Sequence, residues 1–208
     1  MEKFGLRKVP VVARNDKYVF GQMLDAVAKF VGLDGTGVER LAPEQLFEKY
    51  RMVFAAAQRF IRQFPAERFN ERVIPNRERL IRTLCYHIFR IGEAFLETWD
   101  GAEYSTKIAD NLPPDSLQTG DQIARFGAEV WQRYEKWWAG MPDHKLERML
   151  KTYYGDTSAH KVFERVTWHS AQHCRQLMFV LERMEIKPDR PLTPTDLAGL
   201  PLPERLFE

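Results

Sequence analysis

His169 and His173 stand four residues apart, with Val162, Val166, Leu177, Val180 and Met184 at helical spacing around them. Four residues on a helix is a little more than one turn, so both imidazoles leave one face, about 6 Å apart along the axis. That face is otherwise apolar, and a buried ring nitrogen needs a partner. Two readings of the pair stand. They are ligands of a divalent metal, or they are unconnected core histidines with ordinary hydrogen bonds.

A third histidine, His87, lies in a second apolar stripe with Leu80, Leu84, Ile91 and Ala94, widened by Ile81, Ile88 and Phe95. Each histidine sits near the middle of its predicted helix. All three therefore reach one depth in a bundle, whether the two helices run parallel or antiparallel. Three neutral imidazoles hold a divalent ion at roughly 2.0–2.2 Å and leave positions open, the mark of a catalytic rather than a structural site. They cancel none of its charge, so the ion would draw the pKa of a water or thiol toward neutrality. Imidazole suits zinc, nickel, copper and iron alike; zinc, nickel or iron is the expected occupant.

Polar residues border the histidines. Gln176 is three residues past His173 on the histidine line; Arg165 and Gln172 flank that line, and Thr83 and Arg90 flank His87. Each could orient a ligand ring or a substrate, or could simply mark the solvated edge of a bundle. Other metal chemistries fit less well. A carboxylate-bridged bundle needs Glu-x-x-His, and no Glu here has His three residues on. Cys85 and Cys174 point about 160° and 100–140° away from the histidines and read as small core or flank residues. His144, after Pro142-Asp143, is expected to be exposed, and His160 falls in the first turn of its helix; neither is expected to be a ligand.

The elements that must carry these residues follow from periodicity. Residues 8 to 20 read as a hairpin turning at Asn15-Asp16, followed by a short helix from Gln22 to Val31 and a flexible link at Gly35 and Gly37. Pro43 opens a helix that runs to about Phe64 and stops at Pro65. Its buried face is Phe47, Tyr50, Phe54, Ala57, Ile61 and Phe64. Pro75-Asn76 reads as the cap of a second helix, Arg77 to Trp99, closed by Gly101. Residues 101 to 118 are long for a link between packed helices, so they are expected to be a crossover or part of a site rim. A third helix runs from Thr119 or Asp121 to Ala139, facing inward through Ile123, Phe126, Val130, Tyr134 and Trp137. A short helix over Asp143 to Lys151 is expected next, then the long helix over Thr157 to Met184. Residues 187 to 208 hold five prolines but also Leu192, Leu197, Leu200, Leu202, Leu206 and Phe207, and read as an extended strap on the bundle.

Composition agrees with this mainly α architecture, a four-helix bundle with a small N-terminal hairpin and helix and a proline-rich C-terminal strap. The 208 residues are 44% hydrophobic and 12% aromatic with a net charge of +2. Interleaved charges give no footprint for nucleic acid, and no apolar run approaches the ~20 residues of a spanning helix. Two cysteines make no disulfide framework, and the N-terminus lacks a signal-peptide core. The expected compartment is the cytoplasm.

The segments Arg82-Thr-Leu-Cys-Tyr-His87 and Thr167-Trp-His169-Ser-Ala-Gln-His173-Cys-Arg-Gln176 resemble the helix-two and helix-four motifs of the DinB/YfiT-like metalloenzyme family. The resemblance covers about residues 40 to 208, and Gly199-Leu-Pro-Leu-Pro203 is similar to a subgroup. It implies a DinB-like four-helix bundle with a divalent metal on His87, His169 and His173. Some relatives are metal-dependent transferases acting with low-molecular-weight thiols. Residues 1 to 37, through Val9-Pro10-Val11-Val12 and Val19-Phe-Gly21, resemble the C-terminal half of a glutaredoxin, where the proline is cis and helps bind glutathione. The first strands and the Cys-x-x-Cys helix are missing, so the resemblance implies no redox activity. The hairpin edge could pair in a homodimer. Three functions remain open: an enzyme activating a thiol or water at a mononuclear metal toward a small-molecule substrate, a sensor or carrier that binds without turnover, and a structural bundle with core histidines.

Overall fold

The computed structural model describes residues 11–21, 24–33, 40–72, 79–109 and 111–207. The chain divides into two compact units, Met1–Arg40 and Leu41–Glu208. In the first, β1 (Val11–Arg14) pairs antiparallel with β2 (Lys17–Phe20), Val11 opposite Phe20 and Arg14 opposite Lys17. Asn15 turns the hairpin at φ 58°, a left-handed conformation that its short polar side chain tolerates. Helix α1 (Leu24–Val31) packs on β2 and ends where Gly32 takes φ 85°. The predicted strand start at Lys8 to Pro10, the helix start at Gln22, and the link at Gly35 and Gly37 lie outside the described residues.

The second unit is the bundle. Its rods are α2 (Pro43–Gln63), α3 (Ile81–Trp99), α5 (Gly120–Ala139) and α6 (Ala159–Arg183), with a short α4 (Thr106–Ala109) between α3 and α5. Both α2 and α3 pack on α5 and on α6, so the consecutive pair α2 and α3 lies across the diagonal. Contacts give the directions. Phe95 meets Phe163 and the Ile88 carbonyl accepts from Ser170, so α3 and α6 are antiparallel. Tyr50 meets Phe163, and Cys174 donates to the Val53 carbonyl, so α2 and α6 are parallel. Tyr86 on Phe126 and Trp99 on Trp137 make α3 and α5 parallel.

Local chemistry sets the ends. Pro43 starts α2, as its locked φ suits a first helical position. Thr119 caps α5 by accepting from the Gln122 N–H, while the Gln122 side chain returns to the Thr119 N–H. Helix α3 begins at Ile81 rather than Arg77. The Ile81 and Arg82 N–H groups donate to the Glu71 and Phe69 carbonyls, so the preceding turn satisfies donors a side-chain cap would otherwise serve. Pro75-Asn76 and Arg77 lie outside the described residues. Gly101 follows α3 at φ 113°.

Asp143 to Lys151 does not form the expected helix. Leu146 takes φ 54°, and β3 (Met149–Leu150) pairs antiparallel with β4 (Thr157–Ser158). The Arg148 and Leu146 carbonyls accept from the Ala159 and His160 N–H groups, so the loop serves donors that the start of α6 would otherwise leave unpaired. The strap is as expected, with one short helix, α7 (Pro194–Leu197). Leu192, Leu197 and Leu200 are buried; Leu202, Leu206 and Phe207 are half-buried. Side chains of α2 and α6 hold its backbone: Lys49 on the Asp196 carbonyl, Gln63 on Lys187, and Arg175 on Pro203.

The core is aromatic. Tyr50, Phe54, Phe89, Phe95, Tyr134 and Phe163 are fully buried. Gly127 admits Phe89 against α5, since a Cβ there would lie 2.5 Å from the ring. Among the described residues no helix is long and apolar enough to cross a membrane.

Candidate metal centre

The antiparallel crossing of α3 and α6 brings His87, His169 and His173 together. One ring nitrogen from each lies within 4.8 Å of the others. Ring centroids are 5.4 Å apart for His87 and His169, 5.1 Å for His87 and His173, and 4.7 Å for His169 and His173. His87 and His173 are buried; His169 is half-buried as a residue, but its Nδ1 is sealed from solvent.

The partners of each ring fix what it can offer. Gln176 Nε2 donates to the Leu206 carbonyl at 3.0 Å, which leaves Oε1 to accept. His173 Nδ1 is 2.8 Å from that Oε1 and must be the donor. The lone pair of His173 is therefore on Nε2. The Ala109 backbone lies close enough to His87 to favour its protonated form. His169 Nδ1 is buried with no hydrogen-bond partner among the described residues. A buried imidazole nitrogen in that state forfeits about 1–3 kcal/mol.

Electrostatics favour the neutral form of His87 and His169. Burial lowers the pKa of His87 well below its ordinary value, and His173, Arg79 and Arg90 push the same way against the Ala109 backbone. Burial does the same to His169, reinforced by His173, His87, Arg165 and Arg79. Three imidazoles that each bring one ring nitrogen to a common place are a donor set a divalent cation takes. The cluster could hold a metal ion.

The flanking residues divide. Gln176 meets a histidine directly. Gln172 does not: it donates to the Arg205 and Leu206 carbonyls and accepts from Arg175, so it clamps the strap. Arg90 does not orient a ring either; its guanidinium is taken by Glu93 and Glu97, at 2.9 and 2.7 Å. Thr83 is half-buried one turn before His87. Arg165 lies one turn before His169 beside Tyr153 and Tyr154. Both cysteines are buried and free; burial pushes their thiols up, away from the thiolate a metal requires. His144 is not fully exposed. It is half-buried, stacked on Trp138 at 3.9 Å. His160 Nε2 is 2.9 Å from the Leu41 carbonyl, away from the cluster.

Sequence reasoning missed the two backbone groups. Ala109, at the end of α4, and Leu206, in the strap, act through atoms every residue has, so composition carries no sign of them. The length of the 101 to 118 segment hinted at the first. Neither a protein-family model nor a curated protein matches this chain.

Proposed function

We propose that this protein is a mononuclear metal-dependent enzyme of the DinB/YfiT-like type, acting in the cytoplasm on a small-molecule substrate with a low-molecular-weight thiol or water. The observation that carries the reading is the convergence of His87, His169 and His173, with a buried Nδ1 on His169 that has no hydrogen-bond partner among the described residues. A divalent ion held by three neutral imidazoles supplies Lewis acidity, which makes a thiol or water a nucleophile at neutral pH. The chain's own residues do the rest. Gln176 keeps His173 in one tautomer, and the Leu206 carbonyl keeps Gln176 turned the right way. Helices α3 and α6 hold the rings on rigid elements. The sequence likeness at Arg82 to His87 and Thr167 to Gln176 supports the family, and the glutaredoxin-like hairpin supports glutathione as the thiol.

Elemental analysis of natively purified protein beside the His87→Ala variant tests the metal. About one equivalent of zinc, nickel or iron is expected in the first and little in the second. Chelation should lower the melting temperature of the native protein alone, since a ligand at about a thousand times its Kd adds about 4 kcal/mol. Metal-free native protein with chelator-insensitive melting would remove the proposal. Turnover of a thiol and electrophile panel, lost in His169→Ala, separates the enzyme from a carrier that binds without product.

A further inference from the structure

Arg165 is a cation whose hydrogen bonding the fold does not complete. Its Nε and Nη1 are buried and have no partner among the described residues. Its Nη2 donates to Tyr153 Oη across a long 3.4 Å, and the guanidinium carbon lies 5.5 Å from the centroid of the Tyr154 ring. Arg90 shows the alternative, a buried guanidinium closed by two glutamates. Buried donors are almost always paired in a finished core, so two open ones on a fixed cation mark a place for an acceptor.

The position supplies the rest. Arg165 precedes His169 by four residues on α6, so it stands on the same face, about 6 Å along the axis. Its charge, like that of Arg79, already acts on the His169 ring. Three neutral histidines add no negative charge. An anion entering here meets cations on one side and the histidine centre on the other.

We infer that Arg165 and Tyr153 form an anion subsite beside the histidine cluster, and that the ligand of this protein carries a carboxylate about one helical turn from the atom that meets the histidines. The second half rests on the metal-centre reading; the subsite itself does not. Carboxylate and phosphate both pair with a guanidinium through two oxygens, but a phosphate brings further charged oxygens that need donors beyond one arginine, so a carboxylate is the better match here.

Two arms test this on the full chain. In the first, the protein loaded with cobalt is titrated with 3-mercaptopropionate and with 2-mercaptoethanol, reading the sulfur-to-cobalt absorption. The carboxylate-bearing thiol should bind about tenfold tighter. In Arg165→Gln the ratio should fall to about one with cobalt uptake unchanged, and Arg165→Lys should keep part of it. A ratio near one in the native protein, or one that survives in Arg165→Gln, overturns the inference. In the second arm metal-free protein is melted with propionate or inorganic phosphate. Propionate should raise the melting temperature of the native protein and not of Arg165→Gln. Equal shifts in both proteins, or phosphate outcompeting propionate, overturn it. Failure of cobalt binding removes the metal reading alone, and the propionate arm then decides the subsite. Should Arg165→Gln not fold, Arg165→Lys carries the comparison, and an undiminished carboxylate preference there counts against the subsite.

Discussion

Along the seam between α3 and α6, two levels are built on different terms. At the level of Phe95 and Phe163, aromatic rings fill the space, and the buried hydroxyls nearby have partners. Tyr134 donates to the Gly92 carbonyl and Thr98 to the Ala94 carbonyl. Trp137 Nε1 is the exception, and its indole stands at near right angles to Phe95, Trp99 and Tyr134. Two turns away, at the level of His87, His169 and His173, polar rings face one another; His169 Nδ1, and Nε and Nη1 of Arg165 one turn before it, lack partners among the described residues. The first level is filled by protein, with the Trp137 indole N–H left open. The second leaves buried nitrogens that a bound group could meet, which distinguishes a candidate site from a core.

The largest effect should come from the aromatic level. Phe163 is fully buried against Tyr50, Phe95, Tyr134 and Trp137. Phe163→Ala should cost about 3–5 kcal/mol in urea unfolding, by lost transfer energy and the cavity left behind. The cost should be the same with metal or with chelator. A cost that appears only in metal-loaded protein would erase the distinction between the levels.

Gln176 is the next test, because it joins the strap to the site. Gln176→Leu should weaken metal binding about 10–100-fold by freeing the His173 ring to choose its tautomer. Gln176→Glu keeps an acceptor for His173 Nδ1 and should retain most of the affinity. Competitive chelator titration reads both, and equal losses would mean that Gln176 acts only by packing.

The smallest effect is the most pointed. In metal-free protein His169→Leu exchanges an unmet buried nitrogen for apolar contact. It should therefore leave stability unchanged or raise it by about 1 kcal/mol. The same substitution should abolish metal-dependent stabilisation. If it destabilises the metal-free protein as a core truncation does, the histidine level is a finished core after all.

Much of this was legible in the chain. Pro43 and Pro65 bracket α2, the capping pattern of Thr119 and Gln122 opens α5, and the period of Ile123, Val130 and Tyr134 predicts the buried line of α5. The stripe from Val162 to Val180 placed His169 and His173 on a buried face, and the stripe around His87 placed a third histidine at matching depth. Such signals are readable because they are local: a cap spans four residues and a helical face repeats every turn. Asp143 to Lys151 misled for the same reason. Its composition tolerates a helix, but its carbonyls are drawn to the start of α6, a demand made from outside the segment.

What only the tertiary structure decided concerns pairs of residues far apart in the chain. That α3 meets α6 antiparallel, and across which residues, follows from how Phe95, Phe163 and the rings around them fill one core. That Arg90 is spent on glutamates while Arg165 is left open depends on which groups the fold brings into reach. That Ala109 and Leu206 tune the histidines depends on backbone atoms, which all residues share. The sequence by itself determined which residues could take part; the packing chose their partners, because hydrogen bonds and charges act over a few ångströms of space and take no account of distance along the chain.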